Sequence, residues 1–196
     1  LVAVTGRPDS IGRALRCAGA VGAFFPGEEG GSAIAGVLSG RVNPSGRLPV
    51  SLPRSAGAQP YSYLHPALGD SSGVTALASE PALSFGHGLS YTQFEHTELS
   101  VRTAKVPTGG PIEATVTVTN TGERAGADVV QLYGHDPVAS VTRPVAQLLG
   151  YLRVELAAGQ STVVRFVVPT TRLAFSNRDL LRVVEPGRIE LWVGPD

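Results

Sequence analysis

The segment PGEEGG at residues 26–31 sets two adjacent carboxylates, Glu28 and Glu29, between an apolar run and a stretch of small residues. Carboxylates at the C-terminal edge of a parallel strand can accept hydrogen bonds from ligand hydroxyls, and open α/β sheets place their ligands at that edge. Glu28 and Glu29 are therefore the candidate substrate-rim residues. The same pair at a helix start would equally complement the helix dipole and its orphan amides. A phosphate cradle does not fit, because two carboxylates repel an anion and the lysine of a P-loop is missing. Nor is the pair a glycosidase dyad, whose carboxyls face each other across the substrate at about 5–9.5 Å.

The remaining reactive side chains are scattered. His65, His87, His96 and His135 form no His-Glu-x-x-His or His-x-His arrangement, and no carboxylate cluster accompanies them at ligand spacing. Cys17 is the single cysteine, so a structural zinc site and an internal disulfide are both excluded. No metal and no organic cofactor is expected. Ser51, Ser90 and Ser100 lie outside any Gly-x-Ser-x-Gly elbow, which leaves a serine hydrolase without support. Trp192 alternates out of phase with Ile189, Leu191 and Val193, which predicts an aromatic on the outer face of a sheet, where a sugar ring or a neighbouring domain could stack.

Two textures of chain carry these groups, and they meet near residue 85. The first reads βαβα and implies a parallel sheet layered with helices. Strands are expected at residues 1–5 and 20–25, and helices at 10–18 and 32–39, the second stopping at Gly40. A turn at Asn43-Pro44-Ser45-Gly46 precedes a short strand at 48–52. Residues 57–88, rich in Ser, Gly, Pro and Ala but holding Tyr61, Tyr63 and several leucines, read as an ordered connecting segment. From residue 89 the period changes to two. Residues 112–119, 127–133, 162–168 and 188–193 alternate apolar with polar, as in an antiparallel β-sandwich of ~100 residues. With no cysteine pair, a fibronectin-type sandwich is preferred over an antibody-type one.

Sixteen basic residues balance sixteen acidic ones, so no net field draws the chain to nucleic acid or to an anionic membrane. The longest apolar run, residues 20–25, falls far short of the ~20 residues a membrane-spanning helix needs. The composition fits a soluble chain, cytoplasmic or secreted. It opens directly on the apolar LVAVT, which reads as a strand of a parallel sheet needing more neighbours than the next 50 residues offer. The expectation is a C-terminal piece of a longer protein.

Three motifs in series narrow the reading. FFPGEEGGSAIAGVLSGRVNPSGRLPVSLPR (24–54), SFGHGLSYTQF (84–94) and VVQLYGHDPVASVTRPVAQLLGYLRVEL (129–156) together resemble the C-terminal part of family-three glycoside hydrolases, nearest to bacterial β-glucosidase and β-xylosidase members with a fibronectin type III-like tail. The resemblance implies an α/β remnant at residues 1–56, the end of an α/β sandwich domain. An all-β fibronectin type III-like, immunoglobulin-type sandwich follows at 89–196. It also implies a retaining, exo-acting β-glycosidase acting on terminal β-linked sugars, with an Asp nucleophile on an N-terminal barrel and a Glu acid/base upstream of PGEEGG. Neither motif stands in this chain, so no catalytic residue is assigned within it. The alternative is a non-catalytic carbohydrate- or protein-binding β-sandwich module, since fold does not imply function.

Overall fold

The computed structural model describes residues 2–6, 16–54, 62–67 and 80–194. The chain divides into two compact units, one built from Leu1–Tyr63 and Ser71–Tyr91, the other from Leu64–Asp70 and Thr92–Asp196.

In the first unit, β1 (Val2–Thr5) and β2 (Ala20–Phe24) pair in parallel, Val2 against Ala20 through Val4 against Gly22. Most of the helix expected at residues 10–18 lies outside the described residues. Helix α1 (Gly30–Leu38) begins two residues earlier than its apolar pattern suggests. It ends as expected: Gly40, at φ +75°, donates its N–H to Val37 O, and Val42 N–H reaches Gly36 O. Gly36 is the buried residue of this helix, and a Cβ there would lie 3.1 Å from Val42 Cγ2 and 2.8 Å from the movable end of Arg41.

The strand expected at 48–52 does not form. Pro49 and Pro53 supply no N–H, so a continuous ladder cannot run through this stretch. What remains is an isolated bridge, Leu52 with Leu83, and backbone hydrogen bonds from Leu48 N to His87 O and from Gly86 N to Leu48 O. Leu52, 1% exposed, is the centre of this unit's small core, with Ala20, Leu48 and Leu83 packed around it.

The second unit is a sandwich of two antiparallel three-stranded sheets, ordered β10-β5-β6 and β3-β4-β7. Its strands are β3 (Phe94–Val101), β4 (Pro111–Asn120), β5 (Gly126–His135), β6 (Gln147–Leu156), β7 (Ser161–Pro169) and β10 (Glu190–Val193). A short hairpin, β8 (Phe175–Ser176) with β9 (Arg182–Val183), lies between β7 and β10. β4 shows the period of two directly: Ile112, Ala114, Val116 and Val118 point into the core, while Glu113, Thr115, Thr117 and Thr119 alternate with them. Val164, Phe166 and Val168 of β7 and Val130 and Leu132 of β5 complete the facing layers.

β5 departs from simple alternation. Both its faces are covered: Val130 and Leu132 lie in the core, and Gln131 and Tyr133 are buried on the other side, joined by a 2.8 Å bond from the Tyr133 hydroxyl to Gln131 Oε1. Trp192, placed by its phase on the face away from the sandwich core, is half-buried and stacks on Tyr133 of the paired strand with ring centroids 5.8 Å apart. Two polar contacts tie the sandwich together. His96 of β3 meets the fully buried Asp128 of β5 at 2.7 Å. Asn120, 0% exposed, accepts from the Thr92 hydroxyl at 2.7 Å and donates to Arg124 O and Leu156 O, so its amide is satisfied on both sides.

Candidate functional site

PGEEGG sits where the sequence places it, at the C-terminal end of the parallel pair. Gly6, at φ +97°, ends β1 and donates its N–H to Phe24 O, and a register irregularity falls between Val4 and Thr5. Phe24 itself adopts φ +50°, a costly conformation for a bulky residue. Phe25 follows, 79% exposed. Glu29 is the N-cap residue of α1, yet its carboxylate makes no capping bond to a helix amide. Its partner is Ser32, whose hydroxyl donates to Glu29 O at 3.0 Å and lies 3.4 Å from Oε2. Glu28 is exposed and takes no hydrogen bond among the described residues.

The second assembly joins two of the motifs. Asn43 Oδ1 accepts from the Ser90 hydroxyl (2.9 Å) and from the Tyr91 backbone N–H (2.8 Å), and the Tyr91 hydroxyl donates to Val37 O (2.8 Å). Arg47 Nη1 donates to Gly88 O at 2.8 Å. Gly88 must be glycine, because a Cβ there would come within 2.4 Å of Gly46 O. Ser51 accepts the Phe85 N–H at 3.0 Å, and Tyr63 stacks on Phe85 at 4.0 Å. Burial, assisted by the Arg47 charge, lowers the His87 pKa below its usual value. The residues from 85 to 91 are therefore a strap fastened to the 43–52 segment, and Ser51 and Ser90 are fasteners of that strap. The sequence shows Asn43 as a turn residue only. Its role as an acceptor for groups 47 and 48 positions away has no local signal.

The other histidines are also used structurally. His135 Nδ1 donates to Pro144 O at 2.8 Å, and His65 Nδ1 to Pro66 O at 3.1 Å. Among the described residues no group of three His, Cys, Asp or Glu could hold a metal ion. Among them too, no helix is long and apolar enough to cross a membrane. An open depression on the β3-β4-β7 sheet is lined by Ser100, Arg102, Glu113, Thr115 and Arg165, none of which the sequence singles out for binding.

These two assemblies carry the motifs by which relatives can be recognised. Residues 1–91 match the model of the glycosyl hydrolase family 3 C-terminal domain, and residues 128–196 match the fibronectin type III-like domain. The chain belongs to glycoside hydrolase family 3. A periplasmic β-glucosidase of Salmonella typhimurium is 38% identical over the whole of this chain, which covers 27% of that protein. A β-xylosidase of Formosa agariphila is 36% identical over 99% of the chain and is likewise covered to 27%. Among solved structures, the β-glucosidase of Listeria innocua in complex with gluconolactone superposes with a TM-score of 0.89 at 32% identity, over 98% of this chain and 28% of that one. A β-glucosidase from Erythrobacter marinus gives the same TM-score at 39% identity, over all of this chain and 26% of its own. The chain thus spans about a quarter of the length of the curated family 3 relatives it matches. An α/β remnant followed by an all-β fibronectin type III-like sandwich is the architecture of this family 3 chain.

Proposed function

We propose that this chain serves a retaining, exo-acting β-glycosidase that removes terminal β-linked glucose or xylose, with the nucleophile and the acid/base supplied from outside these 196 residues. The observation that carries this reading is the succession of both family domains along one chain, together with relatives named β-glucosidase and β-xylosidase over nearly its full length. In such a reaction a carboxylate attacks the anomeric carbon while an acid protonates the departing glycosidic oxygen. Water then opens the glycosyl-enzyme ester, with the same acid residue now acting as base. No metal or organic cofactor enters either step.

Within this scheme the chain supplies framework, and Glu28 and Glu29 form the substrate rim, accepting hydrogen bonds from sugar hydroxyls. The absence of a capping bond at Glu29 supports this assignment over a purely helix-stabilising one. The test is made on the full-length parent. It should hydrolyse aryl β-glucosides or β-xylosides with retention at the anomeric carbon, read by proton NMR of the first-formed sugar. Glu29→Gln should lower kcat/KM while shifting stability by less than ~0.5 kcal/mol, as for a surface substitution. Inversion of configuration would refute the mechanism. A drop in melting temperature with unchanged kinetics would return Glu29 to the helix.

A further inference from the structure

The outward face of the β3-β4-β7 sheet carries a constructed patch. Across three neighbouring strands Ser100, Thr115 and Arg165 stand in one row, Ser100 opposite Thr115 and Thr115 opposite Arg165. The adjacent row is Arg102, Glu113 and Val167, with Arg102 N–H bonded to Glu113 O at 3.0 Å and Glu113 opposite Val167. A bulge in β3 sets the alignment: the register shifts between Thr97 and Ser100, Glu98 takes φ +56°, and its carboxylate accepts the Thr117 hydroxyl at 3.0 Å. Bulges of this kind re-aim the side chains that follow them.

Two guanidiniums on either side of β4, Arg102 just past β3 and Arg165 on β7, would repel each other. Here both Arg102 Nη1 and Arg165 Nη2 donate to the same oxygen, Glu113 Oε2, which holds the two forks side by side. Their hydrogen bonds keep the Glu113 carboxyl below the usual carboxylate range. Each fork has five N–H donors, and the side chains remain 72% and 59% exposed. The three side chains sum to one positive charge in a chain whose net charge is zero. Hydroxyls of Ser100 and Thr115 line the same depression, and Val163 and Val167, 65% and 56% exposed, flank Arg165 along β7.

We propose that this face binds a carboxylate-bearing saccharide: the paired forks of Arg102 and Arg165 take the carboxylate, the Ser100 and Thr115 hydroxyls take ring hydroxyls, and the exposed valines meet ring C–H groups. Planar guanidiniums bind carboxylates bidentately, a geometry a lysine cannot reproduce. Strands about 4.8 Å apart spread each row of three side chains across a span of ~10 Å, the scale of one or two sugar rings. An acidic peptide is less well served, because the backbone edges of this sheet run along β3 and β7, in the plane of the sheet, and not on the face that carries the patch. The inference stands independently of the β-glycosidase reading.

The test titrates the full-length parent calorimetrically with trigalacturonate, with cellotriose as the neutral control. Trigalacturonate should bind, less tightly with added salt. Arg165→Lys, which keeps the charge and loses the fork, should weaken binding ~10-fold or more. The pair Arg102→Gln and Arg165→Gln should abolish it, with hydrolysis of an aryl β-glucoside unchanged. Failure of the wild type to bind trigalacturonate would overturn the proposal, as would equal binding by Arg165→Lys. Tighter binding of a triglutamate peptide than of trigalacturonate would reassign the patch to acidic peptides.

Discussion

Asn43 shows how one side chain can fasten a distant segment. Its Oδ1 takes two donors from the strap, Ser90 and Tyr91, at 2.9 and 2.8 Å. Removing the acceptor strands a backbone N–H as well as a hydroxyl, so Asn43→Ala should cost ~1–3 kcal/mol, and Ser90→Ala clearly less. Urea unfolding of the chain, read as a shift in midpoint at constant slope, checks both. His87 in the same strap responds to pH. Burial, and secondarily Arg47, lower its folded pKa, so below the unfolded value of about 6.5 the unfolded chain binds a proton that the folded chain resists. Stability should therefore fall as pH drops through this range and level off below the folded pKa. Replacing His87 with Gln should flatten that slope between pH 7 and 5, measured by melting temperature.

Elements here are held by polar groups at their ends as much as by core packing. The connection from β5 to β6 is the clearest case. Arg143 lies 4.3 Å over the Phe175 ring, donates to Leu173 O at 2.8 Å and stands 3.9 Å from Asp136, with both charged side chains about nine-tenths buried. Burial lowers the Arg143 pKa, opposed by the charges of Asp136 and Glu185. Between Asp136 and Arg143 in the same loop, Ser140 donates both its N–H and its hydroxyl to Glu185. Arg143→Met would keep the packing of the stem but leave the Asp136 charge buried without its countercharge, a loss of ~3–5 kcal/mol by denaturant unfolding. Asp136→Asn together with Arg143→Met should recover part of that loss, because the uncompensated charge is then gone.

For the molecule as a whole, the two family domains account for the described structure, and the proposed reaction draws its carboxylates from outside these 196 residues. The isolated 196-residue chain should not hydrolyse aryl β-glucosides or β-xylosides, since neither a nucleophile nor an acid/base motif occurs in it. A discontinuous assay of released aglycone checks this, with Glu28→Gln and Glu29→Gln preparations as controls. Turnover that survives repurification and disappears in those controls would move the chemistry into the PGEEGG loop.

The sequence by itself determined what depends on near neighbours. Alternation along 112–119 fixed which side of β4 is core, because the period of a strand is two whatever it packs against. Gly40 fixed the end of α1 for an equally local reason, the ease with which glycine takes a left-handed φ. Motif order was legible too, and with it the family. Tertiary structure decided the rest. Asn43 reads locally as a turn residue, and its hold on the strap comes through bonds spanning more than forty residues. What covers the outer face of Trp192 was decided by pairing with β5, which brings Tyr133 against it from nearly sixty residues away. Arg102, Glu113 and Arg165 became one cluster only when β3, β4 and β7 came into register. In each case the partner sits far away along the chain, and no local pattern encodes a contact whose other half is brought in by folding.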